Sequence, residues 1–429
     1  MKLKFQSPTG MHDILGEDYR YFKRINEIAE NIAGFYNFEN IETPILEQQE
    51  LFSKGIGLST DVVKKEMFTL RTRGRDYLAL RPEGTAPVVR AYIERGMKNL
   101  PKPVNLWYSG SFFRHEKPQA GRFRQFWQFG LESIGEESPA IDAQIVQMTY
   151  SIFKELKIKN VVIEINSIGA SCCRPYYKKL LVSYLRSRAS VLCPNCKKRI
   201  KENPLRVLDC KQEKCKKAVS EAPQTINHLC VDCRKHFKEF LEFLDELELP
   251  YNLNPHLVRG LDYYTRTVFE FFAQEKKQES SEITTIALAA GGRYDGLVKL
   301  LGGKPTPAVG IAIGIDRTML LMKNQGIKIS QKQAPKVFLA QLGNLAKRKT
   351  LKLAEEFRKV RIPLYFSLGR DSLKAQLKIA DKVNVDYSLI LGQQEALAGS
   401  IMIREMKTGR QKEVKLDQVV EEIKKKLKK

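Results

Sequence analysis

The 429-residue sequence contains no apolar stretch approaching the roughly 18–20 residues that a membrane-spanning helix requires. No apolar signal core precedes the first Pro and Gly of MKLKFQSPTGMHDILG, so the start of the chain does not predict secretion. Internal repeats and long low-complexity tracts are also missing. These absences argue against a membrane-spanning, secreted or repeat protein. The length of 429 residues predicts two or three domains with a sizeable core.

Acidic residues are scarce relative to basic ones. Asp and Glu total 49 against 73 Lys and Arg, which leaves a formal net charge of +24. Such an excess favours a polyanionic partner, although a basic proteome or a thermophilic habitat also produces basic proteins. Charge alone therefore leaves a nucleic-acid partner and a general compositional bias both open.

The eight cysteines lie close together in the sequence. Cys172 and Cys173 are adjacent, and the other six lie between residues 193 and 233. In a chain without a secretion signal, such clustering indicates metal binding or free thiols before disulfides.

Two CxxC pairs, CPNC and CVDC, lie in this segment and can supply four thiolates in a tetrahedral array, the preferred structural environment of Zn²⁺. The sequence therefore predicts a structural zinc site on Cys193, Cys196, Cys230 and Cys233. Their separation requires the intervening helices to fold back. Two alternatives stay open: one pair is replaced by Cys210 with Cys215 or by His228 and His236, or all the thiols are reduced and metal-free.

Hydrophobic periodicity divides the chain into two regions. Helical spacing of apolar residues predicts helices over 18–36, 138–157 and 174–188, and the Cys-rich segment at about 170–245 is also predicted to be helical. Strands are predicted over 66–71, 76–82, 161–166, 265–273 and 283–290. The polar stretch 324–335 predicts a domain boundary. Strand and helix alternate beyond it, as in a compact α/β module.

The stretch FFRHEKPQAGRFRQFWQFGLE, residues 112–132, is predicted to form two strands joined by a loop centred on 118–121. With a side-chain period of two, one parity is mostly apolar and suits a core. The other face carries Arg114, Glu116, Arg122, Arg124, Phe126, Gln128, Gly130 and Glu132. Arginine forks, an aromatic ring and few lysines fit a phosphate-bearing planar ligand such as a nucleotide. A solvated face of salt bridges is the alternative.

Further motifs extend this pattern: RPEGTA, LVRGLDYYTRTVFE, AAGGRYDGLV, PAVGIAIGIDR and, near the end, SLKAQLKIADK followed by LILG. Together with the hairpin they resemble the histidyl-tRNA synthetases, a class II aminoacyl-tRNA synthetase family, over nearly the whole chain. The resemblance implies an α+β fold. An antiparallel catalytic sheet flanked by helices would occupy residues 1–325, with a helical Cys-rich insertion at about 170–245. An α/β anticodon-binding domain would occupy 334–429.

The resemblance also implies an activity. An enzyme of this family is an ATP-dependent ligase that activates L-histidine with ATP and Mg²⁺ to histidyl-adenylate, then transfers histidine to the 3′ end of tRNA(His). It implies a homodimer and a cytoplasmic location. Two alternatives remain: a non-aminoacylating regulatory subunit of histidine biosynthesis, and a nucleic-acid-binding protein without catalysis. The presence of residues 334–429 and of Arg114, Arg259 and Arg317 argues against the regulatory subunit.

The resemblance assigns roles to individual residues, with Arg259 and Arg114 as catalytic residues. Histidine is assigned to Glu83, Gly84, Thr85, Arg114, Gln128, Glu132, Arg259, Tyr263 and Tyr264. ATP is assigned to Arg114, Glu116, Arg122, Phe126 and Arg317. The tRNA acceptor end is assigned to Gln119 and Arg124.

Three residues depart from the family pattern. Trp127 stands where relatives usually carry His, Phe123 where they carry Tyr, and Asp316 where they carry Glu. By parity, Phe123 and Trp127 are predicted to point away from the ligand face, and the shorter Asp316 is expected to shift a metal or water contact.

Overall fold

A computed structural model of the protein describes residues 5–276, 283–329 and 335–427. The chain forms two compact units that divide after Ile329. Each unit has its own hydrophobic core, as expected for independent domains. Within the described ranges, none of the helices is both long and apolar enough to cross a membrane.

The first unit is built around an eight-stranded sheet with the order β1-β5-β6-β11-β10-β9-β7-β8. Neighbouring strands are antiparallel except for the outermost pairs, β1 with β5 and β7 with β8, which are parallel. A smaller sheet has the order β2-β4-β3. The strands are β1 (Glu39–Asn40), β2 (Leu46–Gln48), β3 (Thr69–Arg71), β4 (Tyr77–Leu80), β5 (Val104–Phe113), β6 (Gln125–Ile134), β7 (Val161–Ser167), β8 (Tyr251–Leu253), β9 (Thr265–Lys276), β10 (Ile283–Arg293) and β11 (Ala308–Gly314).

Helices pack on both faces of the large sheet. They are α1 (Gly16–Phe35), α2 (Gln49–Ile56), α3 (Thr85–Glu94), α4 (Pro139–Glu155), α5 (Arg174–Ser187), α6 (Pro194–Glu202), α7 (Glu213–Val219), α8 (Val231–Glu246), α9 (Leu297–Leu300) and α10 (Ile315–Asn324). Helix α4 begins where the sequence favours a start, because Ser138 accepts a hydrogen bond from the N–H of Ala140 and Pro139 occupies the first turn.

The alternation of β6 separates the two cores. Phe129 and Leu131 are fully buried with α1, α4, α8 and α10 on one face. Phe126 and Ile134 pack on the other face with α3, α5 and the tyrosines of the 257–264 segment. A cavity lies on the second of these faces.

The second unit holds a five-stranded sheet of order β13-β12-β14-β15-β16. Its elements are β12 (Val337–Gln341), α11 (Asn344–Lys359), β13 (Leu364–Phe366), α12 (Leu373–Val383), β14 (Tyr387–Leu391), α13 (Gln393–Ala398), β15 (Ser400–Glu405), β16 (Gln411–Lys415) and α14 (Val419–Leu427). The strands β13, β12 and β14 run parallel, and helices connect them, as βαβ units require. The predicted α+β class, a mostly antiparallel sheet flanked by helices and followed by an α/β module, is confirmed.

The hairpin differs from its prediction. Strand β5 ends at Phe113 and β6 begins at Gln125, so the connection is eleven residues long and includes Arg114, Glu116 and Arg122. A single bridge between Gln119 and Arg122 folds this connection back on itself. The parity rule therefore holds for β6 but does not decide where the residues of the connection point. The predicted strand 66–71 is also shorter, beginning at Thr69.

Candidate active site

A cavity of about 230 Å³ opens on the second face of the large sheet. Segments far apart in the sequence form its wall: the start of α3, the β5–β6 connection, the 259–264 loop, β9, and the junction of β11 with α10. Twelve predicted site residues line it: Glu83, Gly84, Thr85, Arg114, Glu116, Arg122, Phe126, Gln128, Arg259, Tyr263, Tyr264 and Arg317.

Glu83 holds the start of α3 in place. Its carboxylate accepts hydrogen bonds from the backbone N–H of Thr85 at 2.8 Å and of Ala86 at 2.9 Å, and the Tyr263 hydroxyl donates to it at 3.3 Å. Burial raises the pKa of Glu83, and the hydrogen bonds from Ala86 and Thr85 act against that rise. A carboxylate at a helix N-terminus is also favoured by the helix dipole. This arrangement provides a negative, preorganised group for an ammonium.

Glu132 lies beneath the cavity and is absent from its wall. Its side chain is fully buried, and its two oxygens accept hydrogen bonds from the hydroxyls of Thr85, at 2.7 Å, and Tyr294. Burial raises the pKa of Glu132 to about 8, although the hydrogen bonds from Tyr294 and Thr85 oppose the rise. In this structure Glu132 is therefore joined to the cavity through Thr85.

The floor at this end requires two glycines. A Cβ at Gly84 would lie 2.2 Å from the Tyr108 ring, and one at Gly130 would lie 2.1 Å from the same ring. Both positions therefore exclude side chains, because the buried ring of Tyr108 fills the space.

Arginines dominate the other end. Arg114 donates through Nε to the carbonyl of Pro82 at 2.9 Å, and its guanidinium lies 5.4 Å from the centre of the Phe126 ring. Arg122 forms an ion pair with Glu116 at 3.5 Å. Arginine guanidiniums beside a half-buried aromatic ring match a nucleotide in charge and shape.

Arg259 and Arg317 approach from other segments. Arg259 donates to the Glu270 carboxylate at 3.1 Å, and its guanidinium lies 5.5 Å from the Tyr264 ring centre. Arg317, in the first turn of α10, donates to the carbonyls of Ala287 at 3.0 Å and Gly121 at 3.3 Å. Burial and the neighbouring charge of Arg122 lower the pKa of Arg317. These contacts bring four guanidiniums to one wall.

The three departures from the family pattern lie at this wall. Phe123 and Trp127 both contribute atoms to it, although both were predicted to point away from the ligand face. For the Trp127 ring that prediction is confirmed, because the ring packs against the core on the opposite face of the sheet. The Trp127 ring packs edge-on against Phe22 at 4.9 Å. Its backbone N–H donates to the Asp316 carboxylate at 2.7 Å, so the shorter acid at 316 is bound to protein. Phe123 belongs to the β5–β6 connection, which does not follow strand parity, so the parity rule could not predict its place at the wall.

Gln119 and Arg124, predicted to contact the tRNA acceptor end, lie outside the wall of the cavity. The backbone of Gln119 pairs with that of Arg122, and Arg124 donates through Nε to the carbonyl of Glu116 at 3.3 Å. Both residues belong to the same connection and stand beside the cavity.

The cysteines form two groups, and the two CxxC pairs are separated. Within each group the four sulfur atoms lie within 4.8 Å of one another. Cysteine site A consists of Cys172, Cys173, Cys230 and Cys233. Cysteine site B consists of Cys193, Cys196, Cys210 and Cys215. The predicted ligand set is therefore wrong, because the chain path completes each CxxC pair with a different second pair. The alternative that paired Cys210 with Cys215 applies to Cys193 and Cys196.

Sequence reasoning missed three residues of this site. Glu270 pairs with Arg259, Tyr294 bonds Glu132, and Tyr108 supplies the floor. Glu270 and Tyr294 stand within the motifs LVRGLDYYTRTVFE and GGRYDG, so their motifs carried a usable signal. Tyr108 lies in the alternating part of β5, and no sequence motif there marked it as a residue of the site.

Known proteins match the chain along nearly its whole length. The profile of the family described as histidyl-tRNA synthetase matches residues 10–318, and that of the anticodon binding domain matches 336–426. The histidine–tRNA ligase of Dehalococcoides mccartyi strain BAV1 is 45% identical over 423 residues, covering 99% of this chain and 100% of the relative. The ligase of Aquifex aeolicus is 44% identical over 417 residues, covering 97% and 100%.

A solved structure gives the same result. The apo histidyl-tRNA synthetase of S. aureus superposes with a TM-score of 0.78 at 32% identity, covering 97% of this chain and 99% of that one. Because a family profile and relatives of full length agree, the chain belongs to the histidyl-tRNA synthetase family.

Proposed function

We propose that the cavity joins histidine to the 3′ end of tRNA(His) in two steps. The histidine carboxylate attacks the α-phosphorus of ATP, forming histidyl-adenylate as pyrophosphate leaves. The 3′-terminal ribose hydroxyl of the tRNA then attacks the carbonyl carbon, and AMP leaves. The chain is thus an ATP-dependent ligase. The observation that carries this proposal is the single cavity with buried carboxylate and tyrosine groups at one end and four arginines at the other.

The arginine end receives ATP. Phe126 stacks on the adenine near Glu116, Arg114 and Arg122 contact phosphate oxygens, and Arg317 reaches the γ-phosphate. Their positions are set by backbone carbonyls and ion pairs before ligand arrives, which lowers the cost of ordering them. No protein nucleophile is needed, so catalysis consists of positioning and of stabilising charge. Arg259 and Arg114 perform the second task at the α-phosphate.

The opposite end receives histidine. Glu83, Thr85 and Gln128 accept hydrogen bonds from the α-ammonium of histidine beside the backbone of Gly84. Arg259 binds the histidine carboxylate. Tyr263, Tyr264 and the underlying Glu132 face the imidazole end. The Gln128 side-chain oxygen is buried without a hydrogen-bond partner, so it has capacity for a donor. A site built to hydrogen-bond a polar ring rejects apolar analogues, whose binding would leave its own groups unpaired.

Mg²⁺ bound with ATP would neutralise phosphate charge, and Glu116 and Glu270 are the residues that would hold it. The carboxylates of Glu116 and Glu270 lie at the cavity wall beside arginines and fit this oxygen-seeking ion, most of whose ligands are phosphates and water. The predicted zinc would be structural, because no cysteine lines the described cavity wall.

Gln119 and Arg124, beside the cavity, contact the acceptor end of the tRNA. The insertion and the second unit bind other parts of the tRNA. Residues 171–217 carry fourteen Lys or Arg against three acidic residues. Such basic surfaces bind phosphates, so charging falls with added salt. We assign residues 1–325 to catalysis, with the insertion at about 170–245, and residues 334–429 to anticodon binding.

The functional unit is a homodimer of two copies of this chain. Because the protein charges tRNA, its location is the cytoplasm. Support comes from apolar side chains around α1 and β2 that are exposed in one chain: Phe35 at 79%, Ile45 at 45% and Leu46 at 42%. Light scattering of the purified protein tests this assignment, since a monomer at working concentration would contradict it.

Histidine-dependent exchange of pyrophosphate into ATP tests the function. We expect exchange with histidine alone among the amino acids, followed by charging of tRNA(His). The two alternatives make the opposite prediction. A regulatory subunit or a binding protein without catalysis would give no exchange. Neither alternative is favoured, because the anticodon-binding profile and the arginine wall are both present.

A further inference from the structure

All eight cysteines of the chain fall into the two cysteine sites, four in each. Site A joins the beginnings of α5 and α8, since Cys172 and Cys173 precede α5 and the CVDC pair opens α8. Site B joins the beginning of α6 to the Cys210 turn and α7. Thiols buried without a common ligand would have no reason to gather into two complete sets of four.

The spacing of the sulfur atoms suits a tetrahedral metal. Zn–S bonds of about 2.3 Å place thiolates about 3.8 Å apart. In site A, Cys172 Sγ lies 3.1 Å from Cys230 Sγ and 3.8 Å from Cys233 Sγ. These separations exceed a disulfide bond of about 2.05 Å, and all eight cysteines are free.

Backbone donors already face the sulfur atoms of site B. The N–H of Cys196 points to Cys193 Sγ at 3.4 Å, and the N–H of Cys193 points to Cys215 Sγ at 3.3 Å. Such donors stabilise thiolates more than thiols, because the negative sulfur is the stronger acceptor. Cys193, Cys196 and Cys215 are at most 2% exposed, so unpaired thiolates there would be costly.

The charge of the surroundings also favours a Zn²⁺ ion bound by four thiolates. Four thiolates with one Zn²⁺ carry a net charge of −2, and the segment containing site B is strongly basic. Oxygen ligands, which hard cations prefer, are missing from both sets, whereas soft thiolates select zinc or iron–sulfur clusters. A single metal fits each set because its four sulfur atoms converge within 4.8 Å.

We propose that the chain binds two structural Zn²⁺ ions, one in cysteine site A and one in cysteine site B. The two ions have different structural tasks. Site A fastens the insertion to the catalytic sheet. Cys172 and Cys173 lie shortly after β7, and Cys230 and Cys233 lie about 60 residues later at the beginning of α8, which packs in the core of the large sheet. Site B closes the insertion on itself.

Metal analysis tests the number of ions. Protein produced in zinc-supplemented medium and purified without chelator should contain two zinc ions per chain and neither iron nor acid-labile sulfide. Folded protein with one zinc ion, with none, or with iron and sulfide would overturn the proposal. The Cys196→Ser and Cys233→Ser variants should each keep one ion, and Ser171→Ala, next to Cys172, should keep two.

A second measurement uses the unsubstituted protein and so does not depend on whether a variant folds. Alkylation of the unsubstituted protein, read by mass spectrometry, should find all eight cysteines protected until zinc is removed by a strong chelator under denaturing conditions. Four thiols should react for each zinc ion released. Either four cysteines open to alkylation from the outset or disulfides within a site would contradict two zinc ions.

Discussion

Arg259 and Glu270 form an ion pair at 3.1 Å inside the wall of the cavity, although one lies in a loop and the other on β9. Burial alone would lower the pKa of Arg259, and the Glu270 carboxylate reverses that direction, so the guanidinium stays charged. The pair thus holds a cation where the substrate carboxylate and the α-phosphate meet in the proposed reaction.

Replacing Arg259 by Ala should lower histidine-dependent pyrophosphate exchange by on the order of 10²–10³, the typical effect of losing one preorganised charge-stabilising group. Arg259→Lys should recover part of this loss, because it retains charge but not the planar fork. Arg188→Ala, in the insertion, is the control and should exchange normally. Near-normal exchange by the Arg259→Ala enzyme would contradict the charge-stabilising role assigned to Arg259.

Replacing Glu270 by Gln should reduce kcat while leaving the fold intact, because the amide keeps the shape but cannot hold Arg259 by charge. We expect a smaller loss than for Arg259→Ala, since the guanidinium remains. Single-turnover adenylation is the measurement. A Glu270→Gln enzyme as slow as the Arg259→Ala enzyme would mean that Glu270 acts mainly on Mg²⁺ or the reacting groups and not through Arg259.

Replacing Glu132 by Ala should raise the KM for histidine more than the KM for ATP, because Glu132 supports Thr85 at the histidine end of the cavity. Glu155→Ala, at the end of α4, serves as the surface control. Steady-state exchange at varied histidine and ATP gives both constants. An unchanged KM for histidine would contradict the pocket assignment.

The raised pKa of Glu132 also predicts a pH dependence of stability. Its folded pKa of about 8 lies above the ordinary value of 4.5, so the folded state retains a proton that the unfolded state loses. This group therefore destabilises the fold progressively as pH rises from about 4.5 to about 8. Glu132→Gln removes that titration, and any change in packing or hydrogen bonding that does not depend on pH adds only a constant offset.

The difference in unfolding free energy, Glu132→Gln variant minus unsubstituted protein, should consequently increase between pH 5 and pH 8. Denaturant titrations at several pH values measure it, and Glu155→Gln should show no trend. A difference that stays flat over this range would show that Glu132 is ionised in the fold throughout.

Removing residues 330–429 should weaken charging of tRNA(His) far more than adenylate formation, because the first unit has its own cores and contains the whole cavity. Pyrophosphate exchange and charging are measured on the same preparation. Equal loss of both activities would indicate that the second unit is required for folding or dimerisation of the first.

The amino-acid sequence by itself determined the local structure and the residue types of the site. Apolar spacing predicted α1 over 18–36, against Gly16–Phe35 observed, and α4 over 138–157, against Pro139–Glu155. Alternation along β6 correctly divided Phe129 and Leu131 from Phe126. These features depend on neighbours within one or two turns or on a fixed two-residue period, which a sequence displays directly.

Only the tertiary structure decided which distant residues meet. Two CxxC pairs of equal spacing are equivalent in the sequence, yet the path of α5 to α8 gives each a different partner pair. The pairing of Arg259 with Glu270, and the position of Glu132 beneath Thr85, likewise depend on strand order and packing in the large sheet. Local periodicity does not encode that order, because contacts across a sheet follow from how whole elements pack.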